Sequence, residues 1–249
     1  MISVVVNSRN EGEKLDKCLQ SISGWGDEIV VLDMESTDNT RQIAKKYNAK
    51  VYSHKALDYI EPVREFAVSK TSGDWVLVLD PDEKIGDELK NKLKEIMSEN
   101  SIDAVNIPRL NFIFNGKIKH TNFWPDRQIR FFKKGRVRFS SVIHSYPKVL
   151  GKVLDLEAKE ELSIQHYPYR NVEEYLQRIK RYSDIESKNR YNLGERFSIF
   201  NLFYLPLYDF IRRYIKHMGF LDGWRGLVLS ILQAYYYILV EIKIFKLQI

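Results

Sequence analysis

Residues 74–83 read DWVLVLDPDE, an apolar run that ends in three carboxylates within four residues. A short continuous apolar run before a turn is typical of a strand that is buried on both faces, as in a parallel sheet. The acidic turn then emerges at the carboxyl edge of the sheet, where open α/β folds bind ligands. Asp80 and Asp82 can face one cation because the intervening residue turns away, and Mg²⁺ and Mn²⁺ accept carboxylate and phosphate oxygens. We predict both as metal ligands, although an acidic turn can also merely cap the next helix.

The first hundred residues alternate short apolar runs with helical patterns. The predicted strands are residues 2–6, 28–32, 50–53 and 74–79, and the predicted helices are residues 13–22, 40–47, 62–70 and 87–98. Such alternation predicts an α/β fold with a Rossmann-like, mainly parallel sheet flanked by helices. Strand-like runs separated by turns continue from residue 104 to about residue 165. They predict a mixed or antiparallel extension of the same sheet.

Polar loops follow the first two predicted strands at the same sheet edge as the acidic turn. The first contains Asn10 and Glu11, and the second contains Asp33 and Glu35. Asp33 directly follows an apolar run, so we expect it to accept a base N–H or a ribose hydroxyl. Ser36 or Asp38 can instead cap the next helix. Neither glycine-rich phosphate motif occurs, which disfavours dinucleotide oxidoreductases and P-loop kinases and leaves more of the phosphate binding to the metal.

Composition limits the class of protein without choosing one. The 249 residues are 44% hydrophobic and 29% charged, as in an ordinary globular protein, and the formal net charge is +6. A basic balance suits an anionic partner, but the basic residues are scattered and no nucleic-acid recognition module is visible. Cys18 is the only cysteine, so an internal disulfide is excluded and a reducing, cytoplasmic setting is expected. The chain begins directly with a strand-like run, so no signal peptide is expected.

Residues 196–249 differ from the rest of the chain. Two apolar, aromatic stretches, 197–211 and 227–240, flank a basic cluster that contains Arg212, Arg213 and Lys216. Neither stretch reaches the roughly 20 uninterrupted apolar residues of a spanning helix. We therefore predict an amphipathic helical tail that lies in a membrane interface, with aromatic and basic residues at its edges. The alternative is that these helices pack on the preceding domain or form a dimer contact.

Four motifs in order resemble family 2 glycosyltransferases. Residues 2–11 (ISVVVNSRNE) resemble the family's opening strand and loop, and residues 31–40 (VLDMESTDNT) resemble its Asp-Asp-Gly-Ser-Thr-Asp segment. The turn 80–82 stands where the family has Asp-x-Asp, and Arg64 stands in the helix that often touches the nucleotide. The resemblance implies a GT-A fold, an inverting mechanism and a nucleotide-sugar donor, with a UDP-sugar favoured, bound with Mg²⁺ or Mn²⁺. It implies nucleotide contacts from six residues: Asn10, Glu11, Asp33, Glu35, Arg64 and Asp80.

A looser resemblance extends to the lipopolysaccharide-core glucosyltransferase subgroup, through residues 124–132 (WPDRQIRFF) and 142–144 (VIH). An inverting transfer needs a general base beside the acceptor hydroxyl. The candidates are Asp126 and His144, with Glu83 less favoured. Ser145 replaces the subgroup's Glu, and Met34-Glu35 replaces the usual Asp-Gly. His144 could instead be a hydrogen-bonded strand histidine, and Asp126 could pair with a neighbouring arginine.

These inferences give a domain plan and a function. Residues 1–195 form the transferase domain, in which residues 1–103 bind the nucleotide-sugar and residues 104–170 form the acceptor half, and residues 196–249 form the tail. The expected enzyme is a hexosyltransferase that acts on a cell-envelope glycan or a lipid-linked acceptor at the inner face of the plasma membrane. One rival is a nucleotidyltransferase that makes the nucleotide sugar, which ordinarily has a glycine-rich loop after the first strand. Another is an inactive membrane-associated binding module, which has no chemical reason to keep both Asp80 and Asp82.

Overall fold

The computed structural model describes residues 1–57, 61–139 and 147–249. They divide into two compact units. The first unit comprises residues 1–109 and 126–166, and the second comprises residues 110–125 and 167–249. The sequence places a domain boundary at residue 195, whereas the structure groups the helix before that residue with the C-terminal helices.

The order of elements follows the predicted alternation. The described strands are β1 (Ile2–Ser8), β2 (Glu28–Asp33), β3 (Lys50–Ser53), β4 (Trp75–Leu79), β5 (Glu83–Lys84), β6 (Ala104–Ile113), β7 (Gly116–Ile118), β8 (Asp126–Lys133), β9 (Val137–Arg138), β10 (Lys148–Val149), β11 (Val153–Asp155) and β12 (Ile164–Tyr169). The described α-helices are α1 (Gly12–Ile22), α2 (Thr40–Lys46), α3 (Glu61–Ser69), α4 (Asp87–Glu99), α5 (Val172–Asn192), α6 (Ile199–Ile211) and α7 (Trp224–Gln248). The predicted elements of the first hundred residues agree with these bounds to within two residues.

The main sheet has the order β3-β2-β1-β4-β8-β6-β12-β5. Strands β3, β2, β1 and β4 are parallel, and β8 then joins β4 in the antiparallel sense. This arrangement confirms the predicted α/β class with a mixed extension. Within the predicted extension, β6 runs to Ile113 and pairs first with β8 and then with β7, in both cases in the antiparallel sense.

Two apolar clusters cover the faces of this sheet in the first unit. Val4 and Val6 of β1 belong to the cluster that contains Leu19 of α1, whereas Val5 belongs to the cluster that contains Val63 of α3. Successive side chains of a strand point to opposite faces, so a continuous apolar run is what a strand covered on both sides requires. Covered faces leave the carboxyl ends of β1, β2 and β4 as the place for polar side chains.

The second unit is mainly helical. Helices α5 and α7 pack around a third apolar cluster, which includes Tyr175, Ile179 and Leu229. Helices α6 and α7 run antiparallel: Phe197, two residues before α6, contacts Phe245 near the end of α7, with ring centroids 5.1 Å apart. Helix α7 extends beyond the predicted bounds and is long and apolar enough, by length and composition, to cross a membrane.

Candidate active site

The loops after β1 and β2 meet at the carboxyl edge of the parallel strands. The loop after β1 is tied to the loop after β2, since the Asn10 backbone N–H donates to Ser36 Oγ (2.9 Å) and Asn10 Oδ1 accepts the Thr37 N–H (2.7 Å). Asp38 accepts the N–H of Gly12, the first residue of α1, and the N–H of Thr40, the first residue of α2, each at 3.0 Å. Asp38 therefore holds the first residues of both helices, although the N-cap residues themselves are Glu11 for α1 and Asn39 for α2.

The two acidic side chains predicted at the end of β2 have partners of different kinds. Asp33 is buried, and its Oδ2 accepts from Arg41 Nε at 2.5 Å. Glu35 has a positive φ of 55° and accepts the Ala56 N–H at 3.1 Å. Asn10 and Glu35 thus use side-chain oxygens to hold the loops, and their nucleotide contacts stay predictions.

Polar atoms without a partner lie at the end of β1. Asn7 and Ser8 are almost fully buried, and the side-chain oxygen and nitrogen of Asn7 and the hydroxyl of Ser8 have no hydrogen-bond partner within the described ranges. Buried polar groups are rarely left unsatisfied, so such atoms need a ligand, a water or a further segment of chain. The predicted first strand ends at residue 6, and neither Asn7 nor Ser8 is among the site residues predicted from the sequence.

Asp80 lies between two arginines. Its Oδ1 accepts from Arg64 Nη2 at 3.0 Å, and its Oδ2 accepts from Arg130 Nη2 at 2.5 Å. Burial alone would raise the pKa of Asp80, but the guanidinium groups of Arg130 and Arg64 outweigh it and hold the pKa well below its ordinary value. Asp80 is thus ionised at neutral pH. The structure brings Arg64 and Asp80 together as predicted for one site.

Glu83 is the centre of a buried charge network. Its Oε1 accepts from Arg130 at 2.9 Å and from Arg109 at 3.1 Å, and its Oε2 accepts the Asp80 N–H at 2.9 Å. Glu83 is fully buried. A carboxylate that is paired with two arginines and shielded from solvent is poorly suited to take a proton from an acceptor, so Glu83 is better explained as a support for the acidic turn.

Asp82 faces a histidine that the sequence analysis did not identify. Nε2 of His166 lies 3.6 Å from Asp82 Oδ1, because β12 pairs with β5 so that His166 stands opposite Glu83. Burial would raise the pKa of Asp82, and His166 outweighs this effect and lowers it. One sequence signal could have found His166: it alternates with apolar Ile164 and Pro168 at the period of a strand, and all three positions are buried in β12.

Glu11 and Lys14 border the same acidic turn. Lys14 Nζ lies 3.6 Å from Glu11 Oε1 and 4.0 Å from Asp82 Oδ2. Burial, followed by the charge of Asp82, raises the pKa of Glu11 to about 7. The structure thus brings Glu11, a predicted nucleotide contact, close to Asp80 and Asp82, the predicted metal ligands, and these roles stay predictions.

The two predicted bases have different outcomes. Asp126 begins β8, where Arg109 donates to its Oδ2 from Nε (2.8 Å) and Nη2 (2.5 Å), and Gln128 donates to its Oδ1 (3.0 Å). Burial opposes ionisation, but Arg109 outweighs it and lowers the pKa of Asp126. The ion-pair partner is thus Arg109 rather than the neighbouring arginines suggested by the sequence, because Arg109 stands opposite Asp126 across β6 and β8. His144 lies outside the described residues.

Comparison with known proteins identifies the family. Residues 3–151 match the family model described as glycosyl transferase family 2, which covers more than half of the chain. The chain belongs to glycosyl transferase family 2. An uncharacterized glycosyltransferase of Rickettsia typhi is 30% identical to this transferase, and the match covers 94% of the transferase and 83% of the relative. The lipopolysaccharide core biosynthesis glycosyltransferase LpsC of Rhizobium meliloti is 23% identical over 98% of the transferase and 92% of the relative.

A solved structure gives a weaker likeness. It is the glucosyl-3-phosphoglycerate synthase of Mycobacterium tuberculosis in complex with Mn²⁺, UDP and glucosyl-3-phosphoglycerate, at 26% identity and a TM-score of 0.39. The match covers 45% of the transferase and 44% of the synthase, which is too little to argue from. Family membership and the LpsC relative confirm the resemblance to family 2 and to lipopolysaccharide-core transferases. The transferase is therefore an enzyme that transfers glycosyl groups.

Proposed function

We propose that the transferase moves a hexosyl group, with inversion, from a nucleotide-diphosphate sugar to a cell-envelope glycan or lipid-linked acceptor. A UDP-sugar is the favoured donor and Mg²⁺ or Mn²⁺ the assisting cation. The reaction takes place in the cytoplasm at the inner face of the plasma membrane, which the C-terminal helices contact. The observation that carries the proposal is the convergence of Glu11, Asp80, Asp82 and His166 at the carboxyl ends of β1 and β4, with Arg64 beside them.

The ligand atoms of these side chains fit a cation whose remaining ligands come from a bound substrate. Asp82 and His166 offer a carboxylate and an imidazole 3.6 Å apart, and Asp80 keeps lone pairs beyond those that accept from its arginines. Carboxylate oxygens suit both Mn²⁺ and Mg²⁺, and Mg²⁺ is commonly held by one or two carboxylates together with substrate phosphates. Within the described ranges no three His, Cys, Asp or Glu residues form a ready-made metal cluster, so diphosphate oxygens would complete the shell. Asp80 and Asp82 would hold the cation beside His166, and the cation would neutralise the diphosphate leaving group.

The remaining residues bind the nucleotide and the acceptor. Glu11 and Asp33 are proposed to accept hydrogen bonds from the nucleoside, with Asn10 and Glu35 shaping the loops around it. Arg64 contributes positive charge next to Asp80. Asp126 is proposed as the group that accepts the acceptor's hydroxyl proton: unlike that of fully buried Glu83, its side chain is 28% exposed, Arg109 and Gln128 fix its orientation, and it is ionised at neutral pH. His144 remains the second proposed base.

Thermal unfolding in the presence of nucleotides tests this proposal. The transferase is heated with UDP, GDP, CDP or dTDP, each with and without Mn²⁺. A ligand present at about one hundred times its Kd stabilises the folded state by about 2.7 kcal/mol, and a chain of this size gains about 2–4 °C in Tm per kcal/mol. We expect a rise of about 5–11 °C with UDP and Mn²⁺ together. We expect it to disappear in Asp82→Ala and in His166→Gln.

A matched control lies at the other end of the same strand. Asp74 precedes β4, is 85% exposed and pairs only weakly with the N-terminus, so Asp74→Ala should keep the full shift. An equal loss of the shift in Asp74→Ala and Asp82→Ala would contradict the assignment of the site. A shift with a different nucleotide would replace UDP as the donor class, and no shift with any of them would refute the donor proposal.

A further inference from the structure

The strongest feature outside the site is an apolar face of α6. Its exposed side chains recur in pairs every four residues, which is one side of a helix. They are between 47% and 69% exposed: Ile199, Phe200, Phe203, Tyr204, Leu207, Tyr208 and Ile211. The opposite side of α6 contains buried Pro206 and Asp209. Large apolar side chains that share one face without cover mark a binding surface.

Helix α7 adds a second stripe of exposed apolar side chains. The stripe recurs at helical spacing and includes Trp224, Leu227, Ile231, Tyr235, Ile242 and Phe245. Helices α6 and α7 pack against each other as an antiparallel pair within the second unit. The pair therefore exposes far more apolar surface than scattered single residues would.

The charges of this segment indicate which kind of partner binds the surface. Residues 196–249 contain seven lysines and arginines and three acidic residues, 7 − 3 = +4. All three acidic side chains are at most 4% exposed, and each has partners. Asp209 pairs with Arg212 and Arg213, and Glu241 pairs with Arg190. Asp222 accepts the backbone N–H groups of Lys119 and His120. Among the charged side chains of this segment, the exposed ones are lysines and arginines, including Arg196, Lys216 and Lys246. A second copy docked on the same face would bring like charges together, whereas an anionic lipid surface compensates them.

The packing of α7 decides how such a surface meets a bilayer. Helix α6 has 13 residues and is about 20 Å long, too short for a hydrocarbon core of about 30 Å. Helix α7 is long enough but is held along its length by α5, through the Glu241–Arg190 pair (3.0 Å), the Lys243–Asp184 pair (2.7 Å) and the Gln233–Tyr175 hydrogen bond (2.5 Å). Crossing the membrane would carry a buried carboxylate and its α5 partner into the hydrocarbon region, at a cost of several kcal/mol.

We infer that α6 and α7 together form a monotopic docking surface, which lies in the plane of an anionic bilayer with the α6 face inserted. This inference deepens the membrane contact of the proposed function, on which it rests, and is independent of the donor and the metal. The basic residues at both ends of the helical pair then lie at the headgroups. Tyr and Trp side chains are suited to that depth because they combine an apolar body with a polar tip.

Vesicle binding tests the surface. The full chain is floated with vesicles of phosphatidylcholine alone or mixed with phosphatidylglycerol, with no nucleotide or metal present. We expect binding to the mixed vesicles that Phe203→Glu with Leu207→Glu weakens at least tenfold, since each buried apolar side chain contributes more than that factor. Leu150→Glu, at a 44% exposed leucine of the first unit, is the matched control and should bind as the native chain does. Lys216→Gln and Lys246→Gln should each weaken binding about fivefold at low ionic strength.

Labelling of the C-terminus tests the orientation. Cys18 is buried, so Ile249→Cys, at a 90% exposed residue, provides the accessible thiol for a membrane-impermeant maleimide added outside sealed vesicles. An in-plane α7 leaves this thiol reactive, whereas protection from the label would overturn the monotopic orientation. Equal binding by the α6 double variant and the native chain would overturn the assigned face. A native dimer that the α6 double variant dissociates, without vesicle binding, would make a second copy the occupant.

Discussion

Arg130→Met tests the buried charge network that supports the acidic turn. Arg130 is 2% exposed, and its Nη2 contacts Asp80 Oδ2 at 2.5 Å and Glu83 Oε1 at 2.9 Å. Methionine keeps much of the side-chain volume and removes the charge, so the variant leaves two buried carboxylates with one cation fewer. Burial alone would lower the pKa of Arg130, but the charges of Asp80 and Glu83 outweigh the effect of burial and raise the pKa.

The size of the effect follows from what remains. Breaking a buried ion pair by removing one partner costs about 3–5 kcal/mol, because the other charge is left without compensation. Here Arg64 still contacts Asp80 at 3.0 Å and Arg109 still contacts Glu83 at 3.1 Å. We therefore expect the lower end, about 3 kcal/mol in the free energy of unfolding. At about 2–4 °C per kcal/mol this is a fall of about 6–12 °C in Tm.

Urea unfolding and thermal unfolding without ligands measure the effect, with Arg136→Met as the matched control. Arg136 is 56% exposed and its Nε is 3.6 Å from Asp103, so its removal should cost less than about 1 kcal/mol. Arg130→Met combined with Glu83→Gln should recover part of the loss, since the second change removes an uncompensated charge, and the double-mutant cycle gives the coupling. If Arg130→Met and Arg136→Met cost the same, the network does not stabilise the turn and the reasoning fails.

Two further predictions concern stability away from the site. Glu28 accepts hydrogen bonds from Lys50, Ser3 and Ser72, which outweigh the effect of burial and lower its pKa from 4.5 to about 2. Its contribution to the free energy of unfolding is therefore present above pH 4.5 and is lost as the pH falls toward 2. Glu28→Gln should cost about 2 kcal/mol at pH 7 and almost nothing near pH 2, as measured by urea unfolding across this range; a cost that does not change with pH would refute the linkage. Asp222 accepts from two backbone amides and from Thr121, so Asp222→Ala should lower the free energy of unfolding by about 2–4 kcal/mol and speed hydrogen exchange at the amides of residues 119 and 120. Unchanged exchange at those amides would show that Asp222 does not hold that turn.

The sequence alone determined the part of the fold that depends on neighbouring residues. The apolar run before Asp80 predicts a strand covered on both faces, and an acidic turn that directly follows such a strand must emerge at the sheet edge. Asp33 and Glu11 were placed there by the same argument. Local pattern suffices in these cases because burial on both faces and the period of the helices are properties of consecutive residues.

Only the tertiary structure decided which distant residues meet these side chains. His166 reaches Asp82 because β12 pairs with β5, and Arg109 reaches Asp126 across β6 and β8 rather than along one strand. The tail gives the same lesson: its composition predicts apolar helices, but the burial of Asp209, Asp222 and Glu241 leaves only positive charge on its surface. Strand register and ion-pair choice depend on the packing of segments far apart in the chain. A one-residue shift in register would turn His166 or Arg109 to the other face of the sheet.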